Sequence, residues 1–145
     1  MSVAAVTKIF IDSNILVYAL DTGNEVKQRA AQKLLERLGL AKRMVFSTQV
    51  FQEAYNASVR KLGLAGAFAQ EYLETLFMQP LVQVDLPLLS SAMRRQQKDG
   101  VPFYDALILE SALSAGCAVL ASEDFQSGRK FGGLRVINPF KEVIE

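Results

Sequence analysis

The chain has 145 residues, half of them hydrophobic and 21% charged, which is one domain's worth of a globular protein. Lys and Arg number 16 against 15 Asp and Glu, a formal net charge of +1, so overall charge points neither toward nucleic acid nor away from it. The absence of His removes Ser-His-Asp and Cys-His nucleophiles and HExxH zinc sites, and the single cysteine, Cys117, removes internal disulfides and CxxC sites.

Cys117 sits in the apolar run Cys117-Ala-Val-Leu-Ala121 and is expected to be a small core residue. The longest unbroken apolar run, Ile15 to Leu20, has six residues, far short of a membrane span. Residues 1–8 lack the basic region and long apolar stretch of a signal peptide, which fits a cytoplasmic location. Any chemistry must then come from carboxylates, hydroxyls, amines or a bound metal.

No linker, repeat or low-complexity block interrupts residues 1–145, which read as one domain. Residues 8–11 are the first expected strand, with Ile, Phe and Ile suggesting burial on both faces. A short helix follows from Asn14. Residues 25–38 carry Val26, Ala30, Ala31, Leu34, Leu35 and Leu38 at the spacing of one helix face, and Gly39 is the expected stop. Residues 43–46 form the next strand, and 49–62 and 65–77 a helical pair broken at Gly63 and Gly66. Then come strand 81–84, helices 88–98 and 104–115 closed by Gly100 and Gly116, and strands 118–121 and 134–137. Strands alternating with helices predict an α/β fold, a mostly parallel five-stranded sheet with helices on both faces. In such sheets ligands gather outside the carboxyl ends of the strands.

Four acids fall where that rule directs attention. Asp12 directly follows the first strand, although an Asp there also caps a helix well. Glu53 lies in a helical segment with Asn56 on the same side, where a solvated acid is the ordinary case. Asp105 opens a helix on its apolar face; the helix dipole favours a first-turn acid, yet no Arg or Lys lies between Lys98 and Arg129 to pair with it. Asp124 follows strand 118–121 after Ser122 and Glu123, and either Glu123 or Asp124 is the acid that matters. Carboxylates about 5 Å apart repel by roughly 3 kcal/mol per pair at an effective dielectric near 20. A hard divalent cation resolves that repulsion, and all-oxygen ligands select Mg²⁺ or Mn²⁺ over zinc.

With these residues in view, the sequence resembles the PIN domain, the nuclease fold of VapC-type toxins in toxin–antitoxin pairs. The matching pieces are Phe10-Ile-Asp12-Ser-Asn14-Ile-Leu-Val-Tyr18, Gln49-Val-Phe-Gln-Glu53, Phe103-Tyr-Asp105-Ala-Leu-Ile108 and Leu120-Ala-Ser122-Glu-Asp124-Phe-Gln-Ser-Gly128, followed by Leu134-Arg-Val-Ile-Asn-Pro-Phe140. The resemblance covers residues 8–140 and places the family's acidic metal ligands at Asp12, Glu53, Asp105 and Asp124. Ser13 stands where the family more often has Thr, Asn14 matches a polar residue supporting the first Asp, and Ser122 keeps the hydroxyl of the last motif. The implied function is an endoribonuclease that hydrolyses phosphodiester bonds with one or two Mg²⁺ or Mn²⁺ ions. Implied partners are RNA, a small antitoxin protein and a second copy of the chain, with no membrane. Arg94, Arg95, Lys98, Arg129 and Lys130 are candidate phosphate contacts.

Three rival readings fit less well. A haloacid-dehalogenase-type phosphatase also puts an Asp after strand one but wants a second two residues later, where this chain has Asn14. A receiver-type phosphorylation module expects a Lys after a late strand, where Val136-Ile137 leads into Asn138-Pro139. A PIN-like binding module without catalysis has no need of four intact acids.

Overall fold

Ile9, Phe10 and Ile11 are completely buried. Successive side chains of a strand point to opposite faces, so a strand buried throughout must be covered on both. In the computed structural model, which describes residues 7–145, these three residues form the strand at the middle of the fold. Most of the segment inspected for a signal peptide lies outside the described residues.

In chain order the elements are β1 (Ile9–Ile11), α1 (Ser13–Leu20), α2 (Glu25–Leu40), β2 (Met44–Ser47), α3 (Thr48–Arg60) and α4 (Gly66–Glu74). The second half comprises β3 (Leu81–Val82), α5 (Leu86–Asp99), α6 (Phe103–Ser114), β4 (Val119–Ala121), β5 (Lys130–Phe131) and β6 (Leu134–Ile137). The sheet order is β3-β2-β1-β4-β6-β5, parallel except for the last pair. From β1 the chain first builds outward through β2 and β3, then crosses back to add β4 on the other side of β1. The reversal of direction opens a crevice at the carboxyl ends of β1 and β4. Ile9 to Ile11 run in register with Val119 to Ala121, so residues 12 and 122 leave the sheet side by side.

Local chemistry sets most helix ends. Asn24, Ser47 and Asp85 each accept a hydrogen bond from the backbone N–H three residues on and so start α2, α3 and α5. Gly100 ends α5 in the left-handed conformation, φ 71°, and Pro102 opens the path into α6. Cys117 is free and buried, and burial pushes its thiol up to about 11, as expected of a packing residue.

Two expectations need correction. The sheet has six strands, because Lys130–Phe131 folds back antiparallel onto β6 through Gly132-Gly133, a two-residue turn with φ 59° at Gly132. Gly39 does not stop α2, which continues to Leu40. A Cβ at Gly39 would come within 3.1 Å of the Met44 methyl, so the glycine serves close packing, and the left-handed residue that turns the chain is Lys42, φ 56°.

Because α5 hands the chain to α6 through a left-handed residue, Gly100→Ala is expected to destabilise the fold by about 1 kcal/mol. A melting temperature lower by a few degrees checks this; an unchanged melt refutes the strain.

Candidate active site

Asp12 is the first residue beyond β1, and its placement follows from two local demands. The strand ends in the buried sheet centre, and α1 begins at once, with exposed backbone donors. Asp12 meets the second demand by accepting a hydrogen bond on Oδ1 from the Ser13 N–H at 2.7 Å. The cap and the buried acid are therefore one residue. On Oδ2 it accepts from the Ser122 hydroxyl at 2.7 Å and from the Asn14 amide at 3.4 Å. Only 5% of Asp12 is exposed. Burial pushes its carboxyl up to about 7, with the charges of Asp124 and Glu53 adding to the rise and the bonds from Ser122 and Ser13 opposing it.

The loop after β4 is tied to the same point. Ser122, fully buried, also accepts from the Asn14 amide at 3.3 Å and from the Asp124 N–H at 3.1 Å. Asn14 closes the network by accepting the Glu123 N–H at 3.3 Å. Glu123 turns elsewhere. It accepts from Lys27 Nζ at 2.5 Å and from the Tyr18 hydroxyl at 2.7 Å, and Lys27 lies over the rings of Tyr18 and Phe140. Lys27 and Tyr18 hold the Glu123 carboxyl below the usual range, although burial opposes them. Asp124 has no such partner and lines a surface cavity with Ser13 and Glu53.

Glu53 and Asp105 come from two helices that Gln49 ties together. Gln49 is buried one turn before Glu53 on α3, and its amide donates to the Tyr104 carbonyl in the first turn of α6 at 3.1 Å. Asp105 is the next residue. Partial burial raises both carboxyls, with Asp105 and Asp124 adding to the rise at Glu53, and Asp124 at Asp105. Asp105 occupies the first turn of α6, where the helix dipole favours its charge, yet burial and its acidic neighbour prevail. The sequence-predicted acids thus share one electrostatic neighbourhood, and none forms an ion pair with a cation among the described residues.

The predicted cations divide. Arg95 is held by Asp99 and Glu110, both at 2.9 Å, while Arg129 lies over Phe131 and Arg94 donates to Ser91 at 3.2 Å. Sequence reasoning missed Arg60 and Lys61, which line a cavity of about 590 Å³ together with Glu53 and Asp124. The signal was present in the spacing, since Glu53, Asn56 and Arg60 lie three and four residues apart on one face of α3. Gln49 was also missed, because a buried bridging amide has no sequence signature apart from its partner.

Comparison with known proteins identifies the family and the fold. The sequence matches the PIN domain family over residues 9–129. The chain belongs to the PIN-domain family. Its structure is similar to a toxin–antitoxin complex from Klebsiella pneumoniae, TM-score 0.66 at 19% identity over 92% of this chain and 98% of that one. It is also similar to VapC20 of Mycobacterium tuberculosis, described as a toxin cleaving the sarcin-ricin loop, TM-score 0.62 at 19% identity over 81% and 90% of the two chains. A DNA-bound VapBC complex from Salmonella typhimurium gives TM-score 0.62 at 19% identity over 90% and 96%. Comparison with curated proteins gives no match.

PIN-domain nucleases generally use divalent metals, and the donor chemistry of this chain fits one. The four acids supply only oxygen ligands, and the strongest rise falls on the buried Asp12, the carboxyl that a nearby cation would keep ionised. Among the described residues, no three metal-binding side chains stand close enough as placed to hold one ion. Glu53 and Asp124 are exposed, whereas Asp12 is buried.

The raised Asp12 carboxyl makes metal-free stability depend on pH. Folding binds the proton more tightly than the unfolded chain does, so this contribution is fully present below pH about 4 and is lost as pH rises through about 7. In EDTA, Asp12→Asn is expected to melt higher than wild type at pH 8, by about 1–3 kcal/mol after its weaker capping is counted. The gap should close by pH 4. A variant melting below wild type at every pH would mean that capping outweighs burial.

Proposed function

We propose that the protein is a metal-dependent endoribonuclease, the toxin of a VapBC-type toxin–antitoxin pair, with Asp12, Glu53, Asp105 and Asp124 as its catalytic acids and metal ligands. The observation that carries this reading is the gathering of unpaired acids at the crevice where the sheet reverses direction, in a chain of the PIN family. A bound Mg²⁺ or Mn²⁺ supplies Lewis acidity and an activated water at neutral pH. Asp12 is the fixed member of the set, its carboxyl held by Ser13, Asn14 and Ser122. Asn14 and Ser122 act as supports that orient Asp12 and the loop carrying Asp124. Asp124 is the fourth acid in this reading, because Glu123 is engaged by Lys27 and Tyr18. Glu53 and Asp124, exposed beside an open cavity, face the solvent from which a phosphodiester would arrive.

The same family reading supplies a partner. Leu73 is buried, and Tyr72 and Leu76 pack on the core, but Tyr55, Phe68 and Phe77 on and beyond α3 and α4 remain 42%, 56% and 54% exposed. An apolar surface of this kind suits an apolar segment of a small antitoxin. Phe68→Glu is expected to abolish capture of the product of a small adjoining gene while leaving the sedimentation of the isolated chain unchanged. A shift from dimer to monomer in that variant would assign the surface to a second protomer instead.

Cleavage of structured RNA by the purified chain should require Mg²⁺ or Mn²⁺ and stop in EDTA. Asp105→Asn removes one of several mutually repelling charges, so it should melt higher than wild type in EDTA by about 1–2 kcal/mol. It should also lose most Mn²⁺-induced stabilisation and RNA cleavage. If Asp105 were a first-turn helix acid alone, the melt would instead fall by a few tenths to about 1 kcal/mol, with metal irrelevant. Undiminished cleavage in excess EDTA would end the metal mechanism.

A further inference from the structure

The 590 Å³ cavity beside the acids is lined by charges of both signs: Glu53 and Asp124, and Arg60 and Lys61 from the last turn and cap of α3. A second cavity of about 340 Å³ shares Ser13, Ala57, Lys61 and Asp124 with the first, so the two adjoin along one wall. Both cations are exposed, and neither forms an ion pair among the described residues. Lys27, by contrast, is committed to Glu123. Seven residues of helix separate Glu53 from Arg60, roughly 10 Å along the axis. The cations therefore stand beside the acids without neutralising them.

A phosphate against Glu53 and Asp124 is repelled until a metal arrives, whereas a phosphate against Arg60 and Lys61 is attracted without one. We propose that Arg60 and Lys61 form a metal-independent subsite for a backbone phosphate next to the one presented to the acids. This inference rests on the ribonuclease reading, and it adds the residues that hold the substrate and the polyanion chemistry they select.

The acids cannot attract RNA in EDTA, so binding there reports the cations, and the variants separate Arg60 and Lys61 from the rest. The probe is a fluorescein-labelled 20-nucleotide single-stranded RNA of mixed sequence, followed by anisotropy across a NaCl series. Wild type is compared with Arg60→Gln/Lys61→Gln and with Arg29→Gln/Lys33→Gln on α2, a control of equal charge change at exposed positions. Two lost contacts to a single strand should lower the log–log salt slope by about 1.4. Affinity at low salt should fall about tenfold, and KM for cleavage in Mn²⁺ should rise by a similar factor with kcat within about twofold. The control should match wild type.

An unchanged Kd and slope in the Arg60/Lys61 variant overturns the subsite, with wild-type cleavage leaving the ribonuclease reading intact. That result would return the two cations to the helix dipole, or to an acidic peptide partner. Wild type that binds RNA through these residues but never cleaves it would keep the subsite and end the ribonuclease reading. Wild type that binds no RNA in EDTA overturns the subsite, and the ribonuclease reading then stands or falls on cleavage in Mn²⁺.

Discussion

A carboxylate buried without a cation governs the organisation of this protein. Asp12 lies where the sheet is most enclosed, and desolvation alone favours its neutral form. Its surroundings offset part of that penalty with donors: the Ser13 N–H, the Ser122 hydroxyl and the Asn14 amide. None of the three carries charge, so the site remains electrically unbalanced. Burial and the neighbouring charges of Asp124 and Glu53 leave that imbalance visible in its raised carboxyl.

The same donors couple the two halves of the fold. Asn14 belongs to α1 and Ser122 to the loop after β4, more than a hundred residues apart, yet both bind one carboxyl oxygen. Parallel pairing of β1 with β4 brings them together, and a register slip of one residue would send their side chains to opposite faces. Lys27 and Tyr18 then take Glu123 out of competition, and Phe140 closes over Lys27 from the far end of the chain. The loop after β4 is thus anchored on one acid, while the next acid is left toward the crevice.

Charge is segregated with similar economy. A net charge of +1 conceals an acidic crevice with two unpaired cations at its margin, while Arg95 and Arg135 are paired elsewhere. A uniform mixture of the same residues would neutralise itself. Segregation is maintained by α3, which carries Glu53 and Arg60 on one face at a separation that a rigid helix preserves.

Much of this was legible in the sequence. The apolar triplet Ile9 to Ile11 and the periodic face of α2 act over a few residues, so their outcome is local and readable. Asp12, Glu53, Asp105 and Asp124 were identifiable because each follows a strand or lies on a helix in a family order. Other features depended on partners distant in the chain. The sixth strand exists because Phe131 finds Leu134 across a glycine pair, and α2 passes Gly39 because Met44 packs against it. The engagement of Glu123 by Lys27 and Tyr18 likewise depends on side chains that no spacing rule connects to residue 123. Sequence by itself determined which groups are present and which local conformations they favour. Tertiary structure alone decided which charges are buried, paired or left unbalanced, because desolvation and Coulomb energies depend on distances that only the folded chain sets.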